Sequence, residues 1–406
     1  MRRLPLTFSR LACTLVLGAG GMLGSTCPAL ELLPANSPVQ ATLSGSLDLE
    51  TYFSDTPQPG LLFSDDEAFL QPRLRLMLDL ARGSHWSGFV QARADRGFDP
   101  GLKEDGDVRL DEYGVRWKPF EDPILQVQAG KFATVFGNWV SRHLSSENPF
   151  ITAPAPYENV LGMTDATAPP TRAAFLGRKV QADKKKEWVT QIWGPSYAHG
   201  ASVFGIVDKF DYAFELKSHA LSSRPSSWDA SEVEWDHPTW TGRLGYRPSV
   251  AWVLGISAST GTYLLDSADA TLPSGTDRGN FEQDTLGLDL SYAHRHFELW
   301  SELILTRFEV PNVGDAEMVS FYVEGRYKLT ASLYLALRWN QQWFGDVADG
   351  RGGNTPWDRD LYRADLALGY KFTRNLNAKV QYSYGHEGGN SANAEHLLAT
   401  KLSWEF

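Results

Sequence analysis

From residue 39 the chain alternates apolar and polar positions with a period of two. Val39, Ala41, Leu43, Gly45, Leu47 and Leu49 share one parity, while Gln40, Thr42, Ser44, Ser46, Asp48 and Glu50 share the other. Helical spacing would mix these two sets, so the pattern predicts an extended strand with one apolar and one polar face. The next run repeats it, with Leu70, Leu74, Leu76, Leu78 and Leu80 against Gln71, Arg73, Arg75 and Asp79. Further along, Phe210, Tyr212, Phe214 and Leu216 oppose Asp211, Glu215 and Lys217, and Leu376, Ala378, Val380, Tyr382 and Tyr384 oppose Asn377, Lys379, Gln381 and Ser383. About eighteen such segments can be marked from 39–53 to 395–406, most of them near the roughly 9 to 11 residues that a tilted membrane strand needs. The weakest stretch is 187–207, where 187–194 and 201–207 are short; if they do not both cross, the count falls to about sixteen.

The connections alternate as well. Short links such as Arg82-Gly83-Ser84-His85, Lys184-Lys185-Lys186, Asp208-Lys209 and Pro248-Ser249 follow the even-numbered segments, and mostly long ones rich in Gly, Pro, Asp and Ser follow the odd-numbered. That rhythm predicts an all-β, up-and-down antiparallel transmembrane barrel with both ends of the chain on one side. Trp86, Trp117, Trp240, Tyr246, Trp252, Tyr327, Trp339, Tyr370 and Tyr384 fall on the apolar parity, mostly near segment ends, where amphipathic rings suit the two headgroup layers. A soluble β-sandwich also alternates, so the period alone does not separate the two architectures. Lys131 is a blemish, sharing parity with Leu125, Val127 and Ala129; a bulge at Gly130 or a snorkelling side chain accounts for it.

The beginning of the chain has a different composition. Arg2, Arg3 and Arg10 precede an apolar run from Leu11 to Leu23 and then small residues, the layout of a secretory signal peptide. Cleavage after Ala29 divides the chain into a signal at 1–29 and a barrel at 30–406. Cys13 and Cys27 leave with the signal, so the exported protein is expected to hold no disulfide. Removing three arginines and no acid takes the formal charge from −11 to −14, which argues against nucleic acid as a partner. No stretch of 18 apolar residues exists, so transmembrane helices are not expected.

The last segment places Leu398, Thr400, Leu402, Trp404 and the terminal Phe406 on one parity, and it resembles the closing strand of Gram-negative outer-membrane β-barrels. Gly130-Lys131-Phe132 and Phe136-Gly137 end the fifth segment, before the longest connection, the third outer one. Here the chain resembles the porin superfamily, and the motif pieces look most like phosphate-selective porins of the O and P type. The resemblance implies that the third connection folds into the barrel and narrows it, and that the protein assembles as a homotrimer. That family's phosphate site is rich in Lys and Arg, whereas this connection offers Arg142, His143 and Arg172 beside Glu147, Glu158 and Asp165.

Placing the polar parity by height puts Arg338, Arg363, Lys379, Lys401, then Ser46 with Asp48, then Arg73 with Arg75, then Arg93 on neighbouring strands once the last pairs with the first. In a narrow water-filled pore such a basic strip, opposite loop carboxylates, favours anions. In the competing reading these charges pair with Asp95, Glu324 and Asp365 and merely keep the interior wet. Acidic outer loops, such as Glu104-Asp105-Gly106-Asp107, suit calcium or lipopolysaccharide bridging less well than simple solvation, since their spacing does not match an EF-hand. No Gly-x-Ser-x-Gly or other nucleophile signature occurs, so no catalytic residue, metal site or cofactor is expected. The chain thus reads as a passive outer-membrane channel for small hydrophilic, in its sharper form anionic, solutes, with lipid and lipopolysaccharide as its surroundings. A channel selective for phosphate or sugars, and a barrel for polysaccharide export or adhesion, are the alternatives.

Overall fold

The computed structural model describes residues 29–55, 59–64, 66–96, 106–225, 233, 235–388 and 394–406. The signal segment up to residue 28, and Glu104 and Asp105 of the acidic loop, lie outside the described residues. The rest is a closed antiparallel barrel of sixteen strands plus the short edge segment Leu30–Glu31. The strands are β1 (Gln40–Ser54), β2 (Ala68–Arg82), β3 (Trp86–Asp95), β4 (Asp107–Trp117), β5 (Gln126–Phe132), β6 (Ala198–Val207), β7 (Phe210–Lys217) and β8 (Thr239–Ser249). They continue as β9 (Trp252–Thr262), β10 (Glu282–His294), β11 (Phe297–Val310), β12 (Gly314–Lys328), β13 (Leu333–Phe344), β14 (Leu361–Lys371), β15 (Leu376–Glu387) and β16 (Ala394–Glu405). Each pairs with its neighbour in chain order, and β16 closes on β1 with Lys401 opposite Glu50. Beyond the last ladder pair, Phe406 and Gly45 exchange both backbone hydrogen bonds, at 2.9 and 3.0 Å.

Burial decides between membrane barrel and soluble sandwich. Leu254, Ile256, Leu286, Leu288, Leu303, Leu305, Leu337, Leu366 and Leu368 point outward and are exposed, whereas Asp48, Glu50, Arg73, Asp95, Glu302, Glu324 and Asp365 point inward and are buried. A soluble sheet protein has the opposite arrangement. An apolar exterior of this extent is stable only against lipid, and a closed barrel leaves no unpaired edge there.

Two of the eighteen segments are not strands. Residues 173–183 fall in the helix Arg172–Gly177 and the turns Arg178–Val180 and Ala182–Glu187, and 187–194 contributes no barrel strand. Thr171 caps the helix by accepting from the Ala174 N–H at 3.2 Å. The apolar residues that produce the apparent alternation are used otherwise: Phe175 and Val189 pack with Tyr263, Phe308 and Trp357 in an apolar cluster. The third long connection therefore runs from 133 to 197, and it enters the barrel as the resemblance implies.

Its first half lies against one wall. Phe136, Trp139, Val140 and Tyr157 bury themselves against the inward-facing Ile304 of β11 and Tyr322 of β12, and Phe150 packs on Tyr334, Ala336 and Ala367 of β13 and β14. Both motif glycines have a steric cause. A Cβ on Gly130 (φ +142°) would stand 2.1 Å from the Tyr113 carbonyl oxygen, and one on Gly137 (φ +70°) would stand 2.7 Å from both Glu302 Oε1 and the Tyr157 hydroxyl. Lys131 needs no bulge, because the β4–β5 register runs unshifted through Gly130. Its Nζ folds back to donate to the Leu110 carbonyl at 2.8 Å.

Candidate functional site

With the connection seated on β11–β16, the remaining space lies toward β1–β4. A cavity of about 120 Å³ is lined there by Arg73, Arg75, Arg93 and Arg109 on the strands and by Trp139, His143, Trp193 and Tyr197 on the connection. The expected basic strip divides into two groups with different work.

One group holds the connection to the wall. Arg338, fully buried, donates from Nε to Asp365 at 2.7 Å and from Nη1 and Nη2 to the carbonyl and hydroxyl of Thr152 at 3.2 and 3.0 Å, and it lies 4.2 Å from the Phe150 ring centre. Arg363 donates to Glu158 at 2.5 Å and to the Ala153 carbonyl at 2.6 Å, and pairs with Asp365. Lys379 donates to the carbonyls of Ser145 and Asn148, each at 2.5 Å. Lys401 donates to the Ser145 hydroxyl at 2.6 Å and to Glu50 at 3.0 Å, while that hydroxyl donates to Asp48 at 2.5 Å. From the connection side, Arg142 pairs with Glu324, donates to the Tyr322 hydroxyl at 3.1 Å and stacks 4.5 Å from the Trp300 ring centre. These five cations are anchors; four of them are spent in ion pairs, and Lys379 is held by the two connection carbonyls.

The second group lines the cavity. Arg75 lies directly opposite Arg93 on β3, and Arg93 opposite Arg109 on β4, so three guanidiniums sit in register across three strands. Arg73 reaches Glu50 and Asp95 at 3.0 Å each; Arg93 lies 3.3 Å from Asp95 and 3.2 Å from Asp111; Arg109 lies 3.4 Å from Asp111. Arg75 differs. It is 4 % exposed, has no hydrogen-bond or ion-pair partner among the described residues, and its Nε is buried and unmatched.

The connection carries the other side. His143 Nδ1 lies 2.5 Å from the Val140 carbonyl, to which it donates, leaving Nε2 to accept from the Tyr197 hydroxyl at 2.8 Å. Burial, with the neighbouring Arg75 charge, pushes the imidazole down from 6.5 to about 4, so it is neutral at physiological pH. Glu158 lines the cavity and is held by Arg363 and by the Ala153 N–H at 2.8 Å. Asp165 is elsewhere, paired with Arg224 at 3.0 Å, its carboxyl pushed up by burial. Glu147 is exposed and takes no part.

Arg109, Trp139 and Tyr197 are cavity residues that the sequence pattern did not single out, and Glu302 is an anchor it missed. Glu302 Oε1 accepts from the backbone N–H groups of Asn138 and Trp139 at 2.5 and 2.8 Å, and Oε2 accepts from the Tyr157 hydroxyl at 2.5 Å. The available signal was an acid on the inward parity of β11 next to the apolar Ile304, since an apolar inward position needs something other than water to face it.

No protein-family model and no curated protein matches the sequence. Solved structures do. An outer membrane channel, DcaP of Acinetobacter baumannii, superimposes with a TM-score of 0.59 at 12% identity, covering 93% of this chain and 100% of that one. The anion-selective porin from Comamonas acidovorans gives 0.57 at 11% identity, covering 91% and 100%, and OmpF of Salmonella typhi gives 0.56 at 14% identity, covering 93% and 100%. The chain therefore has the fold of Gram-negative outer-membrane porins.

Proposed function

We propose that this chain is an outer-membrane porin, a passive diffusion channel for small hydrophilic solutes with a preference for anions. The observation that carries the reading is the division of the lumen: one wall is sealed by the anchored connection, and the space left is lined by four arginines of which Arg75 has no carboxylate partner. In a narrow passage with low-dielectric walls, an uncompensated cation attracts anions and repels cations. The phosphate-selective form has less support, because most of the cationic groups are engaged by carboxylates or by the connection itself. The proposal includes removal of residues 1–29 on export; Leu30 in register with Leu43 of β1 supports a barrel that begins there. It also includes a homotrimer, to be read from the mass in detergent by light scattering.

The direct test is reconstitution in a planar bilayer under a potassium chloride gradient. Discrete conductance steps with a reversal potential on the chloride side are expected. Steps that reverse on the potassium side overturn the anion preference, and a correctly assembled barrel without steps overturns the channel.

A further inference from the structure

The constriction is more specific than a charged hole. Arg73, Arg93 and Arg109 share Glu50, Asp95 and Asp111, whereas Arg75 stands without a carboxylate in the same cavity. A buried guanidinium without a partner is costly, because its lost hydration is not replaced. That cost is relieved when an anion enters, and one uncompensated charge calls for a monoanion. Like charges set directly opposite on adjacent strands destabilise a sheet, so the Arg75–Arg93–Arg109 row is itself held against a penalty.

Apart from His143, Asn148, Thr152 and Glu158, whose carboxylate is already held by Arg363, the remaining lining is apolar and aromatic. Tyr52, Trp139, Tyr157, Trp193 and Tyr197 present rings to the cavity. Tyr197 is tied to His143, and the Trp139 and Tyr157 rings lie 4.6 Å apart, so the rings are held in place. The volume of about 120 Å³ is an order of magnitude above the roughly 10–15 Å³ that one water needs, so a small organic ion has room. Inorganic phosphate requires many donors around three or four oxygens and gains nothing from rings. A neutral sugar leaves the guanidinium unmatched. A planar carboxylate matches its fork with two parallel hydrogen bonds, and an aromatic body gains from the ring walls.

We propose that the space between Arg75 and the Tyr197 side of the connection is a binding site for aromatic monocarboxylates, with the carboxylate on the Arg75 guanidinium and the ring among the tyrosines and tryptophans. This rests on the channel reading above and names its preferred solute class.

The test is single-channel recording of the full chain in chloride, with sodium benzoate, acetate or phosphate added. Benzoate is expected to interrupt the current at a concentration at least tenfold below that of acetate or phosphate. Arg75→Gln should raise the half-blocking benzoate concentration at least tenfold. Tyr197→Leu should raise it about two- to tenfold, the equivalent of one aromatic contact, and leave acetate unchanged. Should Arg75→Gln fail to assemble, Arg75→Lys keeps the charge without the fork and is expected to weaken benzoate block at least threefold. Equal block by the three anions, stronger block by phosphate, or an Arg75 variant that binds benzoate as the parent does overturns the proposal while leaving the channel in place. An assembled protein that shows no conductance steps overturns the channel reading and this one with it.

Discussion

Glu302 is the side chain whose removal should free the third connection from the pore wall. Its two oxygens accept from two backbone N–H groups and one phenol, all on the connection, and the carboxylate is 2 % exposed. Hydrogen bonds to a charged acceptor contribute about 1.5–3 kcal/mol each, so three give about 4.5–9 kcal/mol. Groups released into a pore regain water, which places the net loss for Glu302→Ala just below that range, at about 4 kcal/mol. At 1.4 kcal/mol per decade, the seated-to-released equilibrium shifts by nearly a thousandfold. Glu302→Gln keeps an acceptor for the two amides and loses the charge at the phenol, for about 1.5–3 kcal/mol. The ladder of sixteen strands does not pass through this carboxylate, so the barrel should still form. The assay pairs current noise in a planar bilayer with limited trypsin digestion, because Arg142 is buried only while the connection is seated. Glu302→Ala should give noisier and larger currents and new cleavage after Arg142, with Glu302→Gln intermediate. An assembled Glu302→Ala barrel with parental noise and a protected Arg142 would refute the assignment of Glu302 as the principal anchor.

Three further outcomes follow from the same geometry. Arg75→Gln should move the reversal potential toward cations, more in dilute salt than at physiological salt, where the Debye length is about 8 Å; Arg338→Gln, whose charge is paired, should change noise and leave ion preference nearly unchanged, and equal shifts for both would contradict the two-group division. Deleting Phe406 removes both hydrogen bonds to Gly45 and a ring that fills the space where a Gly45 Cβ would lie 2.6 Å away, so heat-modifiable barrel should form more slowly; parental assembly would show that the seam closes without it. His143 is held down near 4 while the connection is seated, so acidification below 6.5 protonates the released form first, and the seated form loses stability progressively until about pH 4. Current noise should therefore rise over that window and His143→Gln should flatten the rise; a pH-independent parent would remove His143 from the account.

The barrel was legible because lipid and pore water impose opposite demands on alternate residues of every strand. The number of strands was less legible. Segments 173–183 and 187–194 carry a similar density of apolar residues, but a connection folded into the barrel also buries apolar side chains, and period alone does not report what buries them. The charged strip was visible as a set of inward positions, yet its pairing depends on register. Glu324 lies opposite Arg338, and Arg338 opposite Asp365, so each acid meets its base across a strand boundary far apart in sequence. Asp95, Glu324 and Asp365, the competing partners, do engage, and Glu50, Asp111 and Glu158 join them.

The same inward positions also explain where the connection docks. Ile304, Tyr322, Tyr334 and Ala336 stand on the lumen parity of β11–β13, where water would be the only neighbour in an empty barrel. Apolar side chains there are stable only beneath another apolar layer, and Phe136, Trp139, Tyr157 and Phe150 supply it. Glu50, Arg73, Arg75 and Arg93 on β1–β3 are charged inward positions that offer no apolar surface to such a layer. Two walls of different polarity thus fix which side the connection covers and which side stays open. The arginine row faces the remaining cavity because the apolar wall opposite it has already captured the chain.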